Sequence, residues 1–582
     1  MEKKNIAITV LIIALVASGV GNIVLAVMGT FEQPPQRSDA YILATSSGPA
    51  TLEITDSWDS ASNDVLEQVV ETLFGYDLTN VDLPRVGILA ESSWYENATT
   101  LHIKLREGVK FHDGTAFNAD AAKWNLDRLQ YMTNATGTNT GEVAHTASLW
   151  QFPDGKTPIM NHIDSDGLYN ITIYLNGPYA PFENTLAYIN AGMLSPTAHA
   201  ADIHSFIGLD QIPVGTGPFK YVSYTPDVEV VMSRNPDYWM TDENGFPVVA
   251  NFQTVIYAIY DDATTAHNAF LSYTIDGNGM ASDQNIEQYK TDPHFNVYEF
   301  TDITGRPSLV YQYLGFNNHK INRTWREAFS YAFNYSYVID ELRLGNAIRA
   351  VSPISPGFGA AWNSSLVPGP NPGINAVPDE GDLNYARQVV QSMGFGLGLS
   401  LSDDAAWIAQ ANSAPFFVAD YHYNLGNTFR EDLGVAVKHW LNLVGCDTND
   451  NGVTWADFLT YLFDQFDVLG IFAIGWAPDY LDPYNMIDPL FNPASSSDSA
   501  QVNDTHLMNL LGQALNETDT NARNLIYQEI QWYMATNGFF HAPLYHSKVV
   551  TVGLSNIYNI PYNAMGTLRI FPRYRGAWPA GV

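Results

Sequence analysis

The chain has 582 residues, more than a single hydrophobic core usually serves, so we expect at least two lobes. Hydrophobic residues make up 46% of the sequence and charged residues 15%, a composition typical of globular and not of disordered proteins. The net charge of −34, from 27 basic and 61 acidic residues, argues against a nucleic-acid partner, because phosphate binding needs clustered lysines and arginines.

The N-terminal segment, residues 1–30, predicts a membrane anchor. Lys3 and Lys4 precede an uncharged run long enough to cross a bilayer as one transmembrane helix, and this charge predicts a cytoplasmic N-terminus. Signal-peptide cores are shorter, at roughly 7 to 15 apolar residues. We therefore expect an uncleaved single-pass anchor, a linker at residues 31–39, and the bulk of the chain outside the cell. Cleavage near Ala26 would instead release a secreted protein.

Cysteine usage is minimal. Cys446 is the only cysteine, which excludes an intramolecular disulfide and any cysteine-based metal cluster. Since no cysteine lies near the N-terminal segment, a lipid-anchored lipoprotein is excluded for this sequence.

The first half of the chain predicts a strand at residues 40–45 and a helix near 64–74. Residues 101–105 alternate between apolar and polar side chains, as a half-buried strand does. Two turn dipeptides, at 107–108 and 113–114, then reverse the chain. Asn118 is placed to cap a following helix. All of these features predict scaffold and none predicts catalysis.

The second half alternates strands and helices, which predicts an α/β lobe with a covered sheet. The predicted strands lie at 309–316, 416–423 and 468–474, and the predicted helices at 324–342, 383–393, 429–444, 455–463 and 522–534.

Five motifs, in order, resemble the family 5 extracellular solute-binding proteins of ABC transporters, the oligopeptide, dipeptide and nickel group. The resemblance covers residue 40 to the end, apart from stretches near 130–165 and 394–415. The motifs are Leu89-Ala-Glu-Ser92 with the run 104–113, Val214-Gly-Thr-Gly-Pro-Phe219, Arg234-Asn-Pro-Asp-Tyr-Trp239, Tyr313-Leu-Gly-Phe-Asn317 with Arg326-Glu-Ala-Phe-Ser-Tyr-Ala332, and Gly475-Trp-Ala-Pro-Asp-Tyr-Leu-Asp-Pro483.

The resemblance implies an α/β fold of the periplasmic-binding-protein type (type II, class C), with two lobes that enclose the ligand. Lobe I would comprise residues 40–305, with an extra subdomain at about 60–200. Lobe II would comprise 306–545, and 546–582 would return to lobe I. Lobe closure would be a hinge equilibrium that the permease reads.

The resemblance also implies a function without chemistry. The protein would capture an oligopeptide outside the cell and deliver it to the ABC permease transmembrane subunits, as a monomer with no cofactor. Asp479 would pair with the ammonium group of the ligand, since a cation removed from water needs a partner charge. The alternative for Asp479 is a turn residue that caps local backbone.

Three aromatic residues are further ligand-binding candidates. Trp476, in the same motif, would stack on the ligand or form a wall, and a core position under the loop is the alternative. Trp58 lies where relatives line the cleft from lobe I, although ordinary packing is slightly favoured. Tyr421 is a lobe II candidate, as are Trp407 and Tyr423, and a core position is favoured for these three.

Other functions remain as alternatives. An oligosaccharide receptor of the same fold would line its cleft with flat aromatic faces and carry no isolated acid at Asp479. A sensor ectodomain or a secreted hydrolase would reuse the scaffold, but the sequence carries no common hydrolase, phosphate-loop or zinc motif. Nickel is disfavoured because histidine and cysteine ligands are not clustered. Residues 447–457 resemble the start of a calcium loop but lack its terminal Glu, so a plain turn is favoured. His112, within the signature run, is predicted to be structural.

Overall fold

The computed structural model describes most of the chain from Asp39 onward, and residues 40–582 form a unit of their own. The predicted anchor at 1–30 and the linker up to residue 38 lie outside the described residues. Every helix in the described part is too short or too polar to span a bilayer. The described residues are 39–78, 80, 83–241, 252–301, 307–517, 519–559, 565 and 574–575.

The strands lie mainly in three sheets. In chain order they are β1 Ala40–Thr45, β2 Phe74–Tyr76, β3 Arg85–Gly87, β4 Ala90–Asn97, β5 Thr100–Leu105, β6 Met160–Asp166, β7 Asn170–Leu175, β8 Phe219–Thr225, β9 Glu229–Arg234, β10 Thr254–Ile259, β11 Gly277–Asn278, β12 Phe295–Glu299, β13 Tyr311–Phe316, β14 Ala347–Arg349, β15 Val418–Asn424, β16 Asp447–Val453, β17 Ile471–Trp476, β18 His541–Ser547, β19 Val550–Leu554, β20 Ile557–Tyr558 and β21 Tyr574–Arg575.

The helices pack on and between these sheets. In chain order they are α1 Ser60–Val69, α2 Ala119–Met132, α3 Phe182–Thr185, α4 Ala263–Leu271, α5 Asp283–Lys290, α6 Arg323–Ala332, α7 Tyr335–Tyr337, α8 Leu383–Ser392, α9 Asp404–Ser413, α10 Thr428–Asn442, α11 Trp455–Phe463, α12 Asp488–Phe491, α13 Thr505–Asn516 and α14 Thr520–Tyr533. Short 3-10 or π turns are His145–Trp150, Ile189–Ala191, Ala200–Asp202, Val338–Leu342, Pro356–Ala361, Phe466–Val468, Pro483–Met486 and Met534–Gly538.

The first lobe is built on a seven-stranded mixed sheet with the order β12-β19-β11-β1-β10-β9-β8. β1 lies parallel to both β10 and β11, so the loops after these strands meet at one edge of the sheet. A separate four-stranded antiparallel sheet, β4-β5-β7-β6, packs against α2. In the sequence, this sheet and helix are inserted between β1 and β8. This insertion falls inside the region predicted for an extra subdomain.

The second lobe is built on a six-stranded sheet with the order β14-β18-β13-β17-β15-β16. Helices α6, α8 and α10 cover one face and bury a continuous apolar core. The chain leaves the first sheet after β12 and returns from β18 to β19 across Lys548 and Val549. The described residues therefore form two α/β lobes with the chain crossing between their sheets, while the precise lobe limits stay a prediction.

Local signals explain where several helices begin. The side chain of Asn118 accepts a hydrogen bond from the amide of Ala121, as expected for the cap of α2. One helix prediction is wrong: residues 324–342 do not form a single helix, because α6 ends at Ala332 and Phe333 is extended. Asn334 then caps the short α7 through the amide of Tyr337. Competition from this capping side chain accounts for the break.

Candidate functional site

The site is a cavity between the two lobes, with a volume of about 1310 Å³ including its open mouth. Its mixed polar and apolar lining suits a small polar ligand. From the first lobe it is lined by Trp58, Asp59, Asn63, Glu67, Tyr76 and Tyr188. From the second lobe it is lined by Gln312, Arg430, Trp455, Ile474, Trp476 and Asp479. Because both lobes contribute walls, any opening of the lobes would take the cavity apart.

Asp479 lies in the loop that follows β17, at the carboxyl end of that strand. Its amide donates to Oδ1 of Asn485 at 2.7 Å, and its Oδ2 accepts from Nδ2 of Asn485 at 2.9 Å. Loss of water around the carboxyl group raises its pKa from 3.8 to about 7, while hydrogen bonds from Asn485 and Tyr188 partly oppose the shift. In the described residues no lysine, arginine or histidine pairs with Asp479. The site thus holds a carboxylate that lacks a cation.

The loop that carries Asp479 is fixed from both lobes. The indole Nε1 of Trp476 donates to the backbone oxygen of Asn485 at 3.0 Å, which closes the loop on itself. From the first lobe, the hydroxyl of Tyr76 accepts from the amide of Leu481 at 2.9 Å. Asn184 donates to the oxygen of the same residue at 3.1 Å. The half-buried ring of Trp476 therefore forms a fixed wall of the cavity.

Trp58 lies on the opposite wall, just before α1. Its ring packs on Phe463 of the second lobe, with 3.7 Å between the centroids and 52° between the planes. The next residue, Asp59, caps α1 through the amide of Ser62. Burial raises the pKa of Asp59. Trp58 therefore both lines the cavity and contacts the facing lobe.

Arg430 is a site residue that the sequence reasoning missed. It lies in the first turn of α10, and its Nη1 donates to Oδ1 of Asn424 at 2.5 Å. Burial lowers its pKa, an effect partly opposed by Tyr545 and other nearby tyrosines. No carboxylate in the described residues forms an ion pair with its guanidinium. The available signal was its position, since a cation in the first turn of a helix opposes the helix dipole.

Tyr421 does not line the cavity, so its prediction as a ligand contact needs correction. It is 1% exposed and lies in the core between β15 and α10. Its hydroxyl donates to the backbone oxygen of Arg430 at 2.7 Å, so it supports the turn that carries this arginine. Trp407 and Tyr423 are also buried in this core, as expected. Strand alternation turns Tyr421 toward the helices and away from the cavity.

The remaining candidates are structural. Residues 447–453 form the edge strand β16, parallel to β15, so neither a calcium loop nor the favoured turn is present. The described part of the chain holds no group of three or more His, Cys, Asp or Glu residues arranged for a metal ion. The Nε2 atom of His112 lies 2.9 Å from the backbone oxygen of Gly217, and burial lowers its pKa to about 4. His112 therefore holds the scaffold, as predicted.

A second cavity of about 1020 Å³ lies within the first lobe, beside the loop after β1. It is lined by Thr45, Asn278 and Val552 among others, and it meets the interlobe cavity at Asp64. All its walls come from one lobe, and Asp479 and Arg430 are absent from them. The interlobe cavity is the better candidate because it combines opposite charges with walls from both lobes.

Two α/β lobes around a shared cavity define the class of two-lobed solute-binding proteins. The model of the family described as bacterial extracellular solute-binding proteins, family 5, matches residues 85–498, well over half of the chain. The chain therefore belongs to the family 5 solute-binding proteins of ABC transporters, whose members are extracellular or periplasmic. These are binding proteins and not enzymes, which confirms the expectation from the sequence.

This chain is similar to proteins that are named for different ligands. The glutathione-binding protein GsiB of Pectobacterium atrosepticum is 29% identical over 58% of this chain and 59% of its own length. The chain thus spans about six tenths of that relative. Heme-binding protein A of Haemophilus influenzae is 25% identical over 83% of this chain and 82% of its own length.

Among solved structures, DppA of Helicobacter pylori, an ABC transporter-associated periplasmic binding protein in complex with the peptide STSA, has a TM-score of 0.77. It is 19% identical and covers 92% of this chain and 98% of its own. This similarity confirms the predicted two-lobed fold.

Replacing Asp479 with asparagine is expected to stabilise the ligand-free protein at alkaline pH. Because the folded state holds the carboxyl proton more tightly than the unfolded chain, the wild type loses stability as pH rises from about 4 to 7. The amide side chain of the variant cannot ionise, so Asp479→Asn should gain about 1–3 kcal/mol over wild type at pH 8 and much less at pH 5. Denaturant unfolding at both pH values measures this. The exposed Asp164→Asn is the control, and equal effects of the two substitutions would contradict the account.

Proposed function

We propose that this chain is the extracytoplasmic receptor of an ABC transporter for oligopeptides, and that the ligand lies extended between the lobes. The observation that carries the proposal is that one cavity holds two opposite charges, each without an ion-pair partner among the described residues. Asp479 lacks a cation and Arg430 lacks a carboxylate among the described residues, and a peptide zwitterion supplies both. Charge-assisted hydrogen bonds of this kind are stronger than neutral ones.

The strand that leads to Asp479 offers backbone groups to such a ligand. β15 pairs with β17 only at Ile471 and Phe472, so the stretch from Ala473 to Trp476 has no strand partner on that side in the described residues. Ile474 and Gly475 of this stretch line the cavity. An extended peptide can add a strand to such an edge, which binds its backbone without selecting its side chains.

The cavity favours a peptide over the other ligand classes considered. An oligosaccharide carries no ammonium group for Asp479, and it would leave the guanidinium of Arg430 buried without an anion. A nickel ion would need histidine ligands, and no histidine of the described chain lines the cavity. The relatives whose names state glutathione or a peptide bind ligands with both an ammonium group and carboxylates, which agrees with the proposal.

Peptides with free ends should bind. Binding of the ammonium end should depend on Asp479, and binding of the carboxylate end should depend on Arg430. Asp479→Asn is expected to weaken trialanine by about 2–3 kcal/mol, or 30- to 150-fold, but to change N-acetyl-trialanine little, because that peptide has no ammonium. Arg430→Met should discriminate in the same way between trialanine and its C-terminal amide.

Isothermal titration calorimetry measures these affinities after a thermal-shift screen of longer peptides, cello-oligosaccharides and nickel. Asp164→Asn, an exposed change of the same charge, is the control and should leave all affinities unchanged. A shift with sugars and none with any peptide would overturn the peptide proposal, as would equal losses for free and acetylated peptide.

We further propose that residues 1–30 tether the receptor to the outer face of the cell membrane. The full chain should then sediment with membranes, and protease added to intact cells should release a soluble fragment by cutting near residues 31–39. Recovery in the medium of a chain that begins after Ala26 would show instead that the segment is a cleaved signal.

A further inference from the structure

The lobes also touch beside the cavity wall at Trp58, through a histidine between two carboxylates. His145 begins a 3-10 turn of the first lobe. Its Nδ1 lies 3.0 Å from Oδ1 of Asp56, also in the first lobe. Its Nε2 lies 3.9 Å from Oδ1 of Asp464, at the end of α11 in the second lobe. A single imidazole therefore spans the gap between the lobes.

The surroundings of His145 keep the ring in this position. Its amide donates to Oδ1 of Asp56 at 2.6 Å, and the hydroxyl of Ser496 in the second lobe donates to its backbone oxygen. The ring meets Phe463 edge-on, with 6.2 Å between centroids, and Phe463 in turn packs on Trp58. The histidine thus belongs to the same interlobe contact as the cavity wall.

Three carboxylates face His145. Asp56 comes from the segment before α1, Asp464 from the end of α11, and Glu142 from the histidine's own loop. The hydrogen bond to Asp56 raises the pKa of His145; partial burial lowers it but is outweighed, and the charges of Asp56, Asp464 and Glu142 raise it further. Only Asp464 belongs to the facing lobe.

We propose that His145 is a pH-dependent latch, in which the protonated imidazole bridges Asp56 and Asp464 and favours the closed arrangement of the lobes. Opening removes Asp464 from the ring and leaves Asp56 in place. The closed state therefore binds the proton more tightly than the open state, so acidification favours closure. The contribution of the latch to closure is lost as the pH rises and His145 deprotonates, in a range above the ordinary histidine pKa of 6.5.

Asp479 also contributes to the pH dependence of closure. Its carboxyl group shares a hydrogen bond with Tyr188 of the first lobe, so the titration of Asp479 is linked to closure as well. The latch is therefore tested in wild type and again in the Asp479→Asn background. The latch component is the part of the pH dependence that the substitution His145→Gln removes in both backgrounds.

Spin labels at Asp166→Cys on β6 and Val435→Cys on α10 report the distance between the lobes. The native Cys446 is buried and is not expected to react. Pulsed electron–electron double resonance on the doubly labelled, ligand-free protein gives the closed fraction at pH 5.5 and pH 8.5. We expect the closing equilibrium constant to fall by about two- to fivefold over this range through the latch, the size of an exposed ion pair.

His145→Gln should remove this component, and Asp464→Asn should remove most of it while keeping the contact with Asp56. His319→Gln, which removes an exposed histidine elsewhere in the second lobe, should behave as wild type. An unchanged pH dependence in His145→Gln would overturn the latch, as would an Asp464→Asn variant with full pH dependence. Because no ligand is present, either result leaves the peptide proposal untouched.

Discussion

A carboxylate that has lost part of its water is the feature on which the rest of this structure depends. Asp479 is held in that state by a loop that Trp476 and Asn485 close and that Tyr76 fixes from the facing lobe. Keeping such a carboxyl group ionised without a partner cation costs free energy, and the raised pKa reflects this cost. This cost supports our proposal that the loop binds a cation, since stability alone would favour an uncharged residue.

In the proposed receptor, both lobes contribute to the binding site around this group. The second sheet supplies Asp479 at the end of β17 and Arg430 from the first turn of α10, with Tyr421 behind it as a support. The first lobe supplies Trp58 and Tyr188, which line the cavity opposite these groups. Under these proposals binding and closure are coupled equilibria, and His145 biases closure without touching the ligand.

Sequence reasoning reached the fold and part of the site. Motif order gave the two lobes, and the Gly475–Pro483 motif placed Asp479 and Trp476, because these are local features that one loop determines. Arg430 was missed, because its neighbours in the cavity are brought together only by the fold. Tyr421 was a candidate for the cavity, with a core position favoured, and its side of β15 does face the core. A one-residue change in strand register would reverse that orientation. The helix α9 was also missed, since its apolar face is narrow and lies in an atypical stretch.

The most direct test of the central claim is a crystal structure with the peptide that gives the largest thermal shift. The account predicts an extended peptide along β17, with its ammonium group within hydrogen-bonding distance of Asp479 and its carboxylate facing Arg430. A peptide bound outside the interlobe cavity, or one whose ammonium group lies away from Asp479, would contradict it.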